Sequence, residues 1–226
     1  MGMRCLVKIC GVTTVADAVA AAELGADAIG LNFYAKSPRC IDETTARAIL
    51  DALPPHVKAI VLAVEEHWDE TLARLERLSG VHALQIHHRT LTACPEPATL
   101  WIPAFAVKDE SSIASIGGFL ESCRAAGAMP EAFLVDAHVP GSFGGTGQAL
   151  PWHLLREFDP GVPLILAGGL TPENVADAIR IVRPWGVDVA GGVESSPGKK
   201  DHGRIRAFVA AVRSAAREFA VPPVSG

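Results

Sequence analysis

The segment Cys5-Leu6-Val7-Lys8-Ile9-Cys10-Gly11-Val12-Thr13-Thr14 decides between the two large classes of parallel α/β fold. Its first six residues form a short apolar run of the kind that makes a buried strand. A helical period follows at once over Val15–Leu24. In a doubly wound open sheet, the turn between such a strand and helix carries the Gly-x-Gly-x-x-Gly fingerprint, whose glycines let the backbone approach a pyrophosphate. Here the turn reads Cys10-Gly11-Val12-Thr13-Thr14. The fingerprint is absent, and the segment fits the first unit of a closed barrel.

The rest of the chain repeats that unit. Further strands are expected at Ala28–Phe33, Lys58–Val64, Ala83–His87, Leu100–Ala106, Ala132–Asp136, Pro163–Ala167 and Val187–Ala190. Helical periods fall between them at Glu43–Leu53, Trp68–Leu78, Ser112–Ala126, Pro172–Val182 and Ile205–Phe219. A strict β-then-α order calls for parallel strands joined by right-handed crossovers. Eight such strands in 226 residues predict a single (β/α)8 TIM barrel spanning residues 1–226, with 221–226 a frayed tail. Two places are irregular. Arg89–Thr99 holds two prolines, so the fourth helix is expected to be short or missing. Ala137–Leu150 is Gly-rich and reads as a long loop of the lid type.

Composition excludes several classes. Hydrophobic residues make up 49% and charged residues 20%, enough apolar material for a closed core. A formal charge of −5 argues against a nucleic-acid surface. No run of about 18 uncharged apolar residues exists to span a membrane. The N-terminus lacks the pattern of a secretory signal, so a cytoplasmic location is expected. The five cysteines show no CxxC pair or metal-ligand spacing and read as free thiols. The eight histidines are scattered, and His87-His88 have no acidic or cysteine partner nearby in sequence. Neither a metal nor a cofactor is expected.

In a barrel of this type the chemistry sits at the C-terminal ends of the strands. Alternation along the first strand puts Lys8 and Cys10 on one face and Ile9 on the other. The apolar Ile9 suits the helix side, so Lys8 and Cys10 point into the barrel mouth, where an ammonium lowers a thiol's pKa and prepares it as a general base. The bland alternative is a buried thiol beside a snorkelling lysine. The loop Phe33–Arg39 brings Lys36 and Arg39 to the rim, and the planar fork of Arg39 suits a carboxylate through two parallel hydrogen bonds. The alternative is that both are solvated surface charges. Asp136 closes the apolar run Phe133-Leu134-Val135, which makes it a candidate general acid or else a loop cap. Strands seven and eight are followed by Gly168-Gly169 and Gly191-Gly192. Glycines there let backbone N–H groups close on a phosphate, unless they serve plain tight turns. These residues describe a site for a small phosphorylated substrate.

The motifs Lys8-Ile9-Cys10-Gly11, Gly25-Ala26-Asp27-Ala28, Ser37-Pro38-Arg39, Leu84-Gln85-Ile86-His87, Gly144-Gly145-Thr146-Gly147, Ala167-Gly168-Gly169-Leu170 and Gly192-Val193-Glu194-Ser195-Ser196-Pro197-Gly198 resemble, in this order, those of the phosphoribosylanthranilate isomerase family of tryptophan biosynthesis. The resemblance covers nearly the whole chain. It implies an Amadori rearrangement of N-(5-phosphoribosyl)anthranilate to 1-(2-carboxyphenylamino)-1-deoxyribulose 5-phosphate. On it, Asp136 is the general acid that opens the furanose and Cys10 the general base at sugar C2. Arg39 holds the anthranilate carboxylate, the glycines hold the phosphate, and Lys8, His87 and Gly145 join them in binding substrate. The Gly-rich loop Pro140–Gly147 then acts as a lid. Lys8 would pull the thiol pKa down, and the closed lid would push that of Asp136 up. A monomer or homodimer is expected.

Four places depart from the family pattern: Glu65-Glu66 after strand three, His88 after strand four, Leu150-Pro151 after the Gly-rich loop, and Ala190-Gly191 in place of serines. They leave two alternatives open. One is a related sugar-phosphate isomerase or epimerase barrel with a changed aglycone, and the other a barrel that binds a phosphorylated metabolite without turning it over.

Overall fold

The computed structural model describes residues 5–64, 68–87, 100–136 and 152–219. Eight parallel strands close into a barrel in sequence order: β1 (Leu6–Cys10), β2 (Ala28–Asn32), β3 (Lys58–Val64), β4 (Val81–His87), β5 (Trp101–Ala106), β6 (Phe133–Asp136), β7 (Leu164–Ala167) and β8 (Gly186–Val189). Closure runs through β1 and β8, where Lys8 lies opposite Asp188. Helices α1 (Val15–Glu23), α2 (Glu43–Ala52), α3 (Trp68–Arg77), α4 (Glu110–Ala125), α5 (Trp152–Leu155), α6 (Val175–Val182) and α7 (His202–Arg217) alternate with the strands. Thr14, Asp42, Asp109 and Asp201 cap α1, α2, α4 and α7 by accepting a backbone N–H three residues on. Each satisfies a donor that a helix start leaves unpaired.

Alternation sorts the side chains into two cores. The outward residues of the strands, among them Val7, Ile9, Ile29, Leu31, Val61, Phe133, Val135 and Val187, pack with the helices. The inward residues form a separate cluster of small and branched side chains, including Ala28, Ile60, Ala83, Ala104, Leu134, Ile165 and Ala167. Because so many of these are alanines, the interior has room for longer polar side chains from β1, β4 and β8. Lys8 and Gln85 are both buried there.

The strand and helix expectations hold to within a few residues, with informative differences. Helix α6 begins at Val175 rather than Pro172. The side chain of Asn174 turns back on the preceding loop, accepting from Thr171 N at 2.8 Å and donating to Gly169 O at 2.9 Å, and so keeps the loop out of the helix. After β8 comes a single turn of 3-10 helix (Gly191–Val193), then an antiparallel pair β9 (Glu194–Ser196) and β10 (Lys199–Lys200). Neither these nor α5 were expected from periodicity. Cys5, Cys10 and Cys40 are free thiols, whereas Cys123 is disulfide-bonded, which corrects the expectation of five free thiols. The fourth-helix segment, the Gly-rich loop, the departures at Glu65-Glu66, His88 and Leu150-Pro151, and the tail all lie outside the described residues. None of the described helices is long and apolar enough to cross a membrane.

Candidate active site

The site starts from the inward face of β1. Cys10 is the last residue of the strand, and Gly30 lies opposite it on β2. A methyl group on Gly30 would stand 2.8 Å from Cys10 Sγ and 3.2 Å from Lys8 Nζ, so both side chains lean over the same glycine. Lys8, wholly buried, donates to Asp188 Oδ1 at 3.0 Å. Burial pulls its ammonium down, but the Asp188 carboxylate and the Cys10 sulfur more than offset this and hold it above its usual value. A buried lysine keeps its charge only with such a partner.

Lys8 pulls the thiol pKa down, as expected, but the net shift of the thiol is upward, against expectation. Burial pushes the Cys10 thiol up, and Asp188 adds to the push, while Lys8 and Lys200 pull the other way without prevailing. The Lys8 charge is largely spent on Asp188, so the resting residue is a thiol. Removing water penalises a thiolate more than one already-paired ammonium favours it.

Two further inward residues face this pair. His87, at the end of β4, lies 2.6 Å from Gln85 through its Nε2. Burial first, then Lys8, depress its pKa to about 4 against the opposing pull of Asp188, so the ring is neutral at physiological pH. Among the described residues Gln85 Oε1 is buried without a hydrogen-bond partner, a polar group of the sort that a ligand hydroxyl can satisfy. Asp136 ends β6 on the inward face, in register with Ala106 of β5 and Ala167 of β7. Half-buried there, it borders the same mouth as Cys10 from another side of the barrel.

The expected phosphate loops adjoin each other. Gly168 and Gly169 follow β7 with φ of 91° and 63°, a left-handed conformation that favours glycine. Gly191 and Gly192 open the 3-10 turn after β8. A methyl group on Gly192 would run into the carbonyl of Leu170, so only glycine lets the two loops pack together. The first turn of a 3-10 helix leaves N–H groups without intrahelical partners, which suits an anion. Gly145 lies outside the described residues.

Arg39 is at the rim, as expected, but it is not an open fork. Its Nε donates to Glu194 Oε1 at 2.8 Å and its Nη2 to Glu194 Oε2 at 2.7 Å. That bidentate pair takes the side edge of the guanidinium and leaves the Nη1/Nη2 end to meet a second carboxylate. Gly11, with φ 68°, makes the approach possible, since a Cβ there would collide with the Arg39 stem.

Sequence reasoning passed over Asp188, Glu194 and Gln85 as site residues. Asp188 had a readable signal, being a lone acid inside Val187-Asp188-Val189 at the position that alternation turns inward. Glu194 stands inside the motif Gly192–Gly198, but nothing in the sequence ties it to Arg39, 155 residues away.

Comparison with known proteins bears on this geometry. The pattern of the N-(5'phosphoribosyl)anthranilate (PRA) isomerase family matches residues 7–211. The chain is similar to the N-(5'-phosphoribosyl)anthranilate isomerase of Pseudomonas fluorescens (strain Pf0-1), with 48% identity over 209 residues, 91% of this chain and 97% of the relative. Its structure is similar to that of the phosphoribosyl anthranilate isomerase of Thermotoga maritima, with TM-score 0.81 and 35% identity over 93% of this chain and 99% of the other. It is also similar to a phosphoribosyl anthranilate isomerase in complex with reduced 1-(o-carboxyphenylamino)-1-deoxyribulose 5-phosphate, with TM-score 0.77 and 34% identity over 93% of this chain and 99% of the other.

Proposed function

The chain belongs to the N-(5'-phosphoribosyl)anthranilate isomerase family, and we propose that it runs that family's reaction with Asp136 as general acid and Cys10 as general base. The reaction is an Amadori rearrangement, an internal redox exchange between sugar C1 and C2 with no external oxidant or reductant. Asp136 gives its proton to the furanose ring oxygen as the C1–O bond breaks, and the nitrogen lone pair forms the C1=N bond. Cys10 removes the proton from C2. The C–H electrons become a C1=C2 bond, and the electrons of the imine return to nitrogen. Loss of the enol proton and protonation at C1 then give the ketone.

The observation that carries this reading is the shared inward face of Cys10 and Asp136 at one mouth, on strands β1 and β6. The raised thiol pKa gives the sequence of steps a physical logic. A thiol buried beside a paired lysine is a poor base on its own. Ring opening creates a cationic imine next to it, and a nearby positive charge favours the thiolate. The thiol gives its proton to solvent as that charge forms, and the resulting thiolate is the base that takes the C2 proton. Arg39 holds the anthranilate carboxylate through its remaining Nη1/Nη2 end, the loops after β7 and β8 hold the phosphate, and His87 contributes a neutral ring to the substrate's polar contacts.

A single barrel domain, a cytoplasmic location and a monomeric or homodimeric state go with this reading. Among the described residues the exposed large apolar side chains are Leu100, Met129, Ile181 and Trp185, a small set for a surface left open.

The test is an anthranilate-fluorescence assay with substrate generated in situ from anthranilate and phosphoribosyl pyrophosphate. Wild type turns over, while Cys10→Ala and Asp136→Asn each lose roughly 10²- to 10⁴-fold in kcat/KM. Variants that keep wild-type rates would overturn the assignment of both residues.

A further inference from the structure

The residue that ties the rim to the base is Lys200. It sits on β10, and its ammonium is withdrawn from solvent completely. An ammonium has three N–H groups, and the three acceptors here are Cys10 O at 2.6 Å, Ala190 O at 3.1 Å and Glu194 Oε1 at 2.8 Å. A lysine engaged in this way has no donor left for a ligand. It works by holding its neighbours in place.

Its neighbours are the two ends of the substrate path. The Cys10 carbonyl belongs to the residue proposed as the base. Glu194 is the carboxylate that grips Arg39 along its side edge, and its side chain is only 4% exposed. Glu194 Oε1 accepts from both Lys200 and Arg39 Nε, so the two cations share one oxygen. The resulting chain runs from the Cys10 backbone through Lys200 and Glu194 to the Arg39 guanidinium, with every link between 2.6 and 2.8 Å.

We propose that Lys200 and Glu194 are positioning residues that fix the guanidinium of Arg39 relative to the thiol of Cys10, and so set the enzyme's preference for a substrate that bears a carboxylate on its aromatic ring. The proposal rests on the reading that Arg39 meets that carboxylate. Glu194 aims the Nη1/Nη2 end of Arg39 by occupying the other edge. Lys200 anchors Glu194 to the end of β1, so a carboxylate seated on Arg39 delivers sugar C2 to the sulfur in register. Without Glu194, the guanidinium still carries its charge but loses its orientation. Misplacement by an ångström is enough to depress a reaction about a hundredfold.

The test compares two substrates, the phosphoribosyl adducts of anthranilate and of aniline, with products separated by chromatography. The reading is the ratio of kcat/KM for the carboxylated over the plain adduct, relative to wild type. Glu194→Gln lowers that ratio by roughly 10- to 100-fold, and Arg39→Ala lowers it at least as far. Gly191→Ala provides an independent perturbation. A Cβ there stands 3.3 Å from Arg39 Nη2 and presses on the guanidinium, whereas Glu194 Oε2, at 4.0 Å, is at ordinary contact distance. It lowers the ratio by less, and it reads the proposal even if Glu194→Gln fails to fold. If Glu194→Gln slows both adducts in parallel while Arg39→Ala lowers the ratio, Glu194 is merely structural and the proposal falls. A ratio unmoved by Gly191→Ala in folded protein has the same consequence. If Arg39→Ala leaves the ratio intact, the reading of Arg39 itself is wrong.

Discussion

Strand β1 is held by an ion pair below and another within the barrel, and the two are built differently. At its N-terminal end Arg213 of α7 reaches Asp27 Oδ2 at 2.7 Å, Cys5 O at 2.6 Å and Gly25 O at 3.0 Å, while Asp27 Oδ2 also accepts from Val7 N at 2.8 Å. That pair is fastened to the backbone on all sides, and its side chains remain 24% and 16% exposed. Further along the strand, Lys8 and Asp188 are 0% and 9% exposed, and they meet side chain to side chain beside a thiol. The lower pair secures the chain. The inner pair sets the electrostatic field at the Cys10 sulfur. Backbone-saturated pairs are structural, and buried pairs that lean on a titratable neighbour are where chemistry is tuned.

Breaking the inner pair should have the largest effect. Lys8→Met leaves Asp188 buried without its cation and lowers stability by about 3–5 kcal/mol in urea unfolding. Lys8→Met/Asp188→Leu recovers most of that loss, because both charges are gone, but it does not recover turnover. If stability and turnover return together, the inner pair is a staple like the lower one.

The depressed pKa of His87 gives the next largest effect. The folded protein keeps the ring neutral down to about pH 4, whereas the unfolded chain takes up a proton near the usual 6.5. Between those values the unfolded state binds more protons, so stability falls as pH falls, by up to roughly 3 kcal/mol. His87→Gln removes this part of the pH dependence. An identical slope in the variant would show that the ring is not held neutral by its surroundings.

The lower pair should yield less. Arg213→Met leaves Asp27 with the Val7 amide and with access to water, and lowers stability by about 1–3 kcal/mol. The folded enzyme keeps its kcat/KM. A loss of turnover out of proportion to the loss of stability would erase the contrast between the two pairs.

The smallest effect sharpens the contrast most. Asp188→Asn removes a carboxylate that raises the Cys10 thiol pKa and leaves the Cys10 sulfur as the anionic partner for the buried Lys8 ammonium, which favours the thiolate. Alkylation of Cys10 by iodoacetamide, followed by peptide mass spectrometry at mildly alkaline pH with exposed Cys40 as internal reference, should accelerate roughly threefold to tenfold. A slower reaction would mean that Asp188 helps the thiolate form.

Most of the barrel was legible in the sequence because its rule is local. A period of two along the first strand assigned Ile9 to the helix side and Lys8 and Cys10 to the interior; Ile9 packs in the outer core, while Lys8 and Cys10 lean together over Gly30 inside the barrel. The glycines after β7 and β8 were readable because glycine marks a backbone need wherever it falls. What stayed hidden depends on distance in sequence. Glu194 meets Arg39 across 155 residues, and Lys200 meets the Cys10 carbonyl across 190. No periodicity connects such positions. The sign of the thiol shift was misjudged for a related reason: adjacency to Lys8 is visible in the sequence, whereas full burial and the competing Asp188 are not. The late start of α6 hinges on one asparagine side chain folding back, a tertiary choice that outranks helical pattern.

The central claim is that the Cys10 sulfur takes the proton from sugar C2, and a kinetic isotope effect tests it most directly. Substrate deuterated at sugar C2 is compared with ordinary substrate in wild type and in Cys10→Ser, whose hydroxyl is a weaker base. Proton removal should become more fully rate-limiting in the variant, so the account predicts a primary isotope effect on kcat larger than that of wild type. A Cys10→Ser enzyme that is slow yet insensitive to the deuterium would contradict it, because the lost step would then lie elsewhere than at C2.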